Sequence, residues 1–119
     1  MSAARELATQ GARVAVFEAR TIGWGASSRN GGQVLTGTKL SAGALLKRFG
    51  KETAQRLWRN SLDCIAYVEQ VVQSEGIECD FGRVGHLELA WKPAHFGTYQ
   101  HDAELLSREF GHPVRIIEK

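Results

Sequence analysis

The chain has 119 residues, 43% hydrophobic and 24% charged, with a formal net charge of +2. That length suits one small domain with a real core, and the composition excludes a chain disordered throughout. Lys and Arg (15) nearly balance Asp and Glu (13), and they form no basic stripe, which excludes a charge-driven nucleic-acid surface.

Residues 2–10 read as a helix, because Ala3, Ala4, Leu7 and Ala8 share one face at helical spacing. Gly11 supplies its stop. Residues 13–18 are short, apolar and bounded by glycine turns, the pattern of a buried parallel strand ending in Glu18. From Thr21 to Gly43 six glycines alternate with serines and threonines. Such density rules out a regular helix, and Trp24, Arg29, Asn30 and Val34 are too specific for a flexible linker.

Ser41 is placed to cap a short helix through Phe49, closed by Gly50. A longer helix follows over residues 51–75, with Ala54, Leu57, Trp58, Leu62, Ile65, Val68 and Val72 forming one buried stripe. Cys64 is expected among the core residues of that helix, and Gly76 to end it. Residues 77–91 alternate with period two at Leu87, Leu89 and Trp91, which predicts a strand. Trp58 and Trp91 are both expected to be packing residues, and His86 and Glu88 to share the outer face of that strand. Pro93 opens a last helix, where proline is tolerated at the first turn. Its apolar face is Phe96, Tyr99, Ala103, Leu106 and Phe110, and Gly111 and Pro113 end it. A strand or loop starts at Val114. The expected fold is α/β.

Neither a metal centre nor a membrane span is expected. Cys79, His86, His95 and His101 match no compact ligand spacing, and no apolar run approaches the roughly 20 residues a bilayer requires. Met1 leads into Arg5 and Glu6 rather than an apolar run, so no secretory signal is read. Cytoplasmic placement with free thiols is expected.

The order helix, glycine turn, apolar strand, terminal acid is the second half of a dinucleotide-binding βαβ unit. There the acid, here Glu18, accepts hydrogen bonds from the adenosine ribose hydroxyls. The acid usually follows the glycine fingerprint by about 20 residues, and no G-x-G-x-x-G occurs in this chain. The first strand and its phosphate-cradling turn are therefore expected upstream of Met1. The run Glu18-Ala19-Arg20-Thr21-Ile22-Gly23-Trp24-Gly25-Ala26-Ser27-Ser28-Arg29-Asn30-Gly31-Gly32-Gln33 then resembles the second flavin-contacting segment of the FAD-dependent oxidoreductases related to D-amino acid oxidase and glycine oxidase. Within that family it is similar to the gamma-glutamylputrescine oxidoreductases. The likeness continues at Gly76-Ile77-Glu78-Cys79-Asp80-Phe81.

The resemblance implies an FAD cofactor and oxidation of a C–N bond in a small amine or amino acid, a gamma-glutamylputrescine-like substrate included. It implies cofactor contact by Glu18, Ala19, Arg20, Gly25, Ala26, Ser27, Ser28, Arg29, Asn30, Gly31, Gly32 and Gln33. The expected architecture is a partial Rossmann-like FAD-binding unit (a cofactor-binding segment, 1–37, and a helical segment, 38–76) followed by a strand–helix segment, 77–119, that begins a substrate-domain sheet. No residue of the chain is assigned a catalytic role, and catalytic groups are expected beyond Lys119. The isolated chain is expected to hold FAD weakly or not at all, and to self-associate through an exposed sheet edge. Two alternatives stay open at this point: a non-catalytic truncated fragment, and a helical interaction module that binds no flavin.

Overall fold

Three α-helices and one 3-10 turn make up the regular structure of the computed structural model, which describes residues 1–117. The chain forms two units, Met1–Gln33 and Val34–Lys119.

In the first unit, α1 spans Ser2–Thr9. Gly11 takes φ +85°, and the chain turns as the Gly11 and Ala12 N–H groups bond the carbonyls of Ala8 and Leu7, both at 3.0 Å. This wrap satisfies carbonyls that the helix end leaves unpaired. No residue of α1 is buried, and Leu7 is half exposed. The 3-10 turn, Gly25–Ser28, follows within the glycine-rich loop.

The second unit is a helical pair. α2 spans Ala42–Ser74 and α3 spans Pro93–Phe110. Ser41 caps α2, its side chain accepting from the Ala44 N–H at 3.3 Å. Gly50, at φ +75° and ψ 168°, breaks the helix where the sequence places the junction of two helices. Pro93 stands in the first turn of α3, and Gly111 ends it in the left-handed conformation at φ +61°.

The core lies between α2 and α3. Leu45, Ala54 and Trp58 are buried, with Leu40, Leu46, Leu57, Leu62, Leu106 and Phe110 packed against them. The Trp58 ring meets Phe110 at 5.2 Å and His112 at 5.4 Å between centroids. Gly37 lies against the same indole: a Cβ added there would sit 3.2 Å from the ring. Its N–H donates to Ser61 Oγ at 2.9 Å, and that hydroxyl donates to the Trp58 carbonyl at 2.7 Å. At the far edge Gln55 Nε2 donates to the Glu109 carbonyl, while Lys51 Nζ stands 3.1 Å from the Glu109 carboxylate.

Several expectations are corrected. Residues 13–18 and 77–91 form no strand, and no strand or sheet is present among the described residues. A strand requires a hydrogen-bonding neighbour, and alternation along one segment supplies none. The expected start of a substrate-domain sheet is therefore not formed, nor is the sheet edge proposed for self-association. Their apolar side chains stay in solvent: Phe17 is 93%, Val84 94% and Trp91 86% exposed. Trp91 is accordingly not a packing residue. Cys64 is exposed as well, because 100° per residue carries it about 120° round α2 from Trp58.

Candidate functional site

The glycine-rich loop of the first unit holds the sequence-derived cofactor residues, and local hydrogen bonds shape it. Glu18 ends an extended stretch, and its Oε1 accepts from the Arg20 N–H at 2.9 Å. The carboxylate thereby fixes the bend at Ala19. The Trp24 N–H then donates to the Thr21 carbonyl at 3.0 Å, closing a turn that enters the 3-10 segment.

Asn30 holds the second half of the loop together. Its Nδ2 donates to the carbonyls of Ala26, at 2.9 Å, and Ser27, at 3.3 Å. Its Oδ1 accepts from the Gly32 N–H at 2.8 Å. One amide thus satisfies two carbonyls on one side and an N–H on the other, which only Asn among short side chains can do. The Arg29 N–H also donates to the Ala26 carbonyl, at 3.3 Å.

Among the loop's glycines, Gly23, Gly25 and Gly32 lie at φ +76°, +87° and +67°. Open space surrounds the position a Cβ would take at each. These are backbone conformations that L side chains rarely adopt. Gly31 lies outside that region, with only the Gln33 side chain near, at 3.9 Å. Open backbone of this kind can approach a flat ring or a diphosphate closely. Among the described residues the hydroxyls of Ser27 and Ser28 make no hydrogen bond and remain free donors.

Trp24, which sequence reasoning left out of the site, organises the cations. The Arg20 guanidinium carbon stands 3.8 Å from the centroid of its ring, and that of Arg29 stands 4.9 Å away. An aromatic ring flanked by two arginines four and five residues away was the available signal. The loop therefore gathers Arg20, Trp24 and Arg29 at one place, and Ala26, Ser27, Asn30 and Gly32 at another. Among the described residues no hydrogen bond joins Glu18 to the Asn30 turn, and Gln33 is exposed.

Outside this loop, Arg83 and Tyr99 make contacts between segments. Arg83 pairs with Glu69 on α2 at 2.6 Å, an interaction that raises its pKa through the hydrogen bond and the carboxylate charge. Glu88 faces Tyr99, whose hydroxyl donates to the Leu89 carbonyl at 3.4 Å. Partial desolvation, then the Glu88 carboxylate, push the Tyr99 pKa upward. No helix of the described residues is long and apolar enough to cross a membrane.

Donors without acceptors, open glycine backbone and two arginines on one ring suit an anionic, planar cofactor. A family model described as DAO, FAD dependent oxidoreductase, matches residues 1–119. A probable oxidoreductase OrdL of Haemophilus influenzae is 37% identical over 90 residues, covering 76% of this chain and 21% of its own length. The gamma-glutamylputrescine oxidoreductase of Escherichia coli is 32% identical over 118 residues, 99% of this chain and 28% of its own. A second probable oxidoreductase OrdL, from Rhizobium meliloti, is 32% identical over 95% of the chain and 26% of its own length. The chain thus spans about a quarter of the length of these relatives. No solved structure gives a significant match. The chain belongs to the DAO family of FAD-dependent oxidoreductases.

Proposed function

We propose that this chain serves as the flavin-contacting segment of an oxidoreductase that oxidises the C–N bond of a small amine or amino acid. A gamma-glutamylputrescine-like amine is the preferred substrate, because the relative from Escherichia coli carries that name over nearly the whole chain. The observation that carries the cofactor half of this reading is the loop held by Asn30, with Gly25 and Gly32 open on their Cβ side and free hydroxyls at Ser27 and Ser28.

The residues fit FAD by their chemistry. The carboxylate of Glu18 can accept from ribose hydroxyls through the oxygen not engaged by Arg20. Ser27, Ser28 and the loop amides can donate to phosphate or ring oxygens. Arg29 supplies a permanent positive charge. The backbone at Gly25, Ala26, Gly31 and Gly32 admits close approach, and Ala19 and Gln33 border it. When bound, FAD accepts the two electrons of the amine oxidation, and the protein's part is to bind, orient and exclude water.

The test uses a protein of the relatives' length carrying these residues. Glu18→Ala should weaken FAD binding by about 1–3 kcal/mol, the scale for losing charge-assisted hydrogen bonds. Adding gamma-glutamylputrescine under anaerobic conditions should bleach the visible flavin band. Unchanged FAD affinity would remove Glu18 from the site, and a band that no amine bleaches would defeat the amine reading.

A further inference from the structure

The Trp24 indole carries two guanidiniums, at 3.8 Å for Arg20 and 4.9 Å for Arg29. Among the described residues neither arginine has a carboxylate partner. Glu18, the nearest acid in sequence, spends one oxygen on the Arg20 backbone N–H instead. Two cations held near one point repel each other. In an exposed loop they would separate into solvent unless something attracts both. The electron-rich face of an indole does so, and Trp is the best aromatic for it.

The loop geometry favours this arrangement. The Trp24 N–H closes a turn onto Thr21, Gly23 and Gly25 flank the ring at positive φ, and the 3-10 turn starts at the next residue. Arg20 precedes that turn. Arg29 follows the 3-10 segment, with its own N–H tied to Ala26. The backbone thus brings residues 20 and 29 to either end of one bend, with the ring between them in sequence.

We propose that Trp24 is a positioning residue that holds Arg20 and Arg29 together as one doubly charged clasp for an anionic ligand, the diphosphate of the dinucleotide. The inference rests on the flavin-contacting reading of the loop. Trp24 touches no reacting atom. It acts by holding the arginines before the ligand arrives, so the cost of gathering like charges is met in the free protein.

The conservative variants separate this role from simple packing. Phe at position 24 keeps an aromatic face, whereas Leu keeps apolar bulk and loses it. The 119-residue chain, labelled with 15N, is followed by NMR as inorganic pyrophosphate, and separately FAD, is added at low salt. In the free wild type the Nε–H signals of Arg20 and Arg29 should show ring-current shifts that vanish in Trp24→Leu. Pyrophosphate should move those two signals, with apparent affinity lowered about fivefold in Trp24→Leu and nearly restored in Trp24→Phe. The difference should shrink as salt is raised. Unshifted arginine signals in the free wild type, no response to pyrophosphate, or equal affinity in Trp24→Leu would each overturn the proposal. In a protein of the relatives' length, bound FAD that moves no amide from Gly25 to Gly32 would instead defeat the flavin-contacting reading, while the arginine signals still decide the role of Trp24.

Discussion

The loop of Met1–Gln33 and the helical pair of Val34–Lys119 hold their shapes by different means. The loop has no buried side chain, and its form comes from short-range bonds: Glu18 to Arg20, Asn30 to Ala26, Ser27 and Gly32. The helical pair buries Leu45, Ala54 and Trp58 and locks its edges with Lys51, Gln55 and Glu109. The loop therefore offers donors and open backbone, while the helical pair supplies hydrophobic burial. A binding segment needs unsatisfied groups facing outward, and a core tolerates almost none. The one buried side-chain polar atom without a partner among the described residues, Trp58 Nε1, lies in the helical pair.

Removing the core side chain should break the contrast most forcefully. Trp58→Ala takes away the contacts to Phe110, His112 and Gly37 and should destabilise the helical pair by about 3–5 kcal/mol in urea unfolding. A loss below about 1 kcal/mol would mean that burial does not hold α2 to α3.

Two glycines sharpen the comparison at smaller scale. Gly37 sits at φ +92° with the Trp58 ring 3.2 Å from a new Cβ, so Gly37→Ala should cost about 1–3 kcal/mol. Gly31 has neither constraint, and Gly31→Ala should change stability by less than about 0.5 kcal/mol. Thermal melts of the two variants check this directly; equal effects would remove the distinction.

The smallest effect is electrostatic. Hydrogen bonds from Arg108, then Lys51, hold the Glu109 carboxyl below its ordinary value, against a weaker opposing effect of desolvation. A depressed folded-state pKa adds stability above the unfolded value, and that stability disappears as the pH falls through the folded value. The melting temperature should thus be level near neutrality and fall below about pH 4–5. Of these two carboxylate pairs, the Lys51 one joins α3 to α2, whereas Arg108 is the neighbour of Glu109 on α3. Lys51→Met should flatten part of the fall, and an identical pH profile would show the pair contributes nothing.

The helices were legible because each carries its own signals. Ser41 caps, Gly50 interrupts, Pro93 starts and Gly111 stops, and the stripe from Ala54 to Leu62 faces the core. Helical hydrogen bonds close within a few residues, so local sequence suffices to place them. The loop's composition was legible for the same reason, but the part played by Trp24 was not. Its neighbours at positions 20 and 29 meet only once the turn and the 3-10 segment are formed.

Residues 13–18 and 77–91 show where sequence stops deciding. Val16, Phe17, Leu87, Leu89 and Trp91 carry the side chains of strands, yet they stand in solvent and in no ladder. Sequence by itself determined the helix ends, the apolar stripes and the donor-rich, glycine-open chemistry of the loop, because these depend on a residue and its near neighbours. Tertiary structure decided whether an apolar run becomes a strand. A helix satisfies its own backbone, whereas a strand borrows half its hydrogen bonds from another segment, and that loan is written nowhere in the strand's own residues.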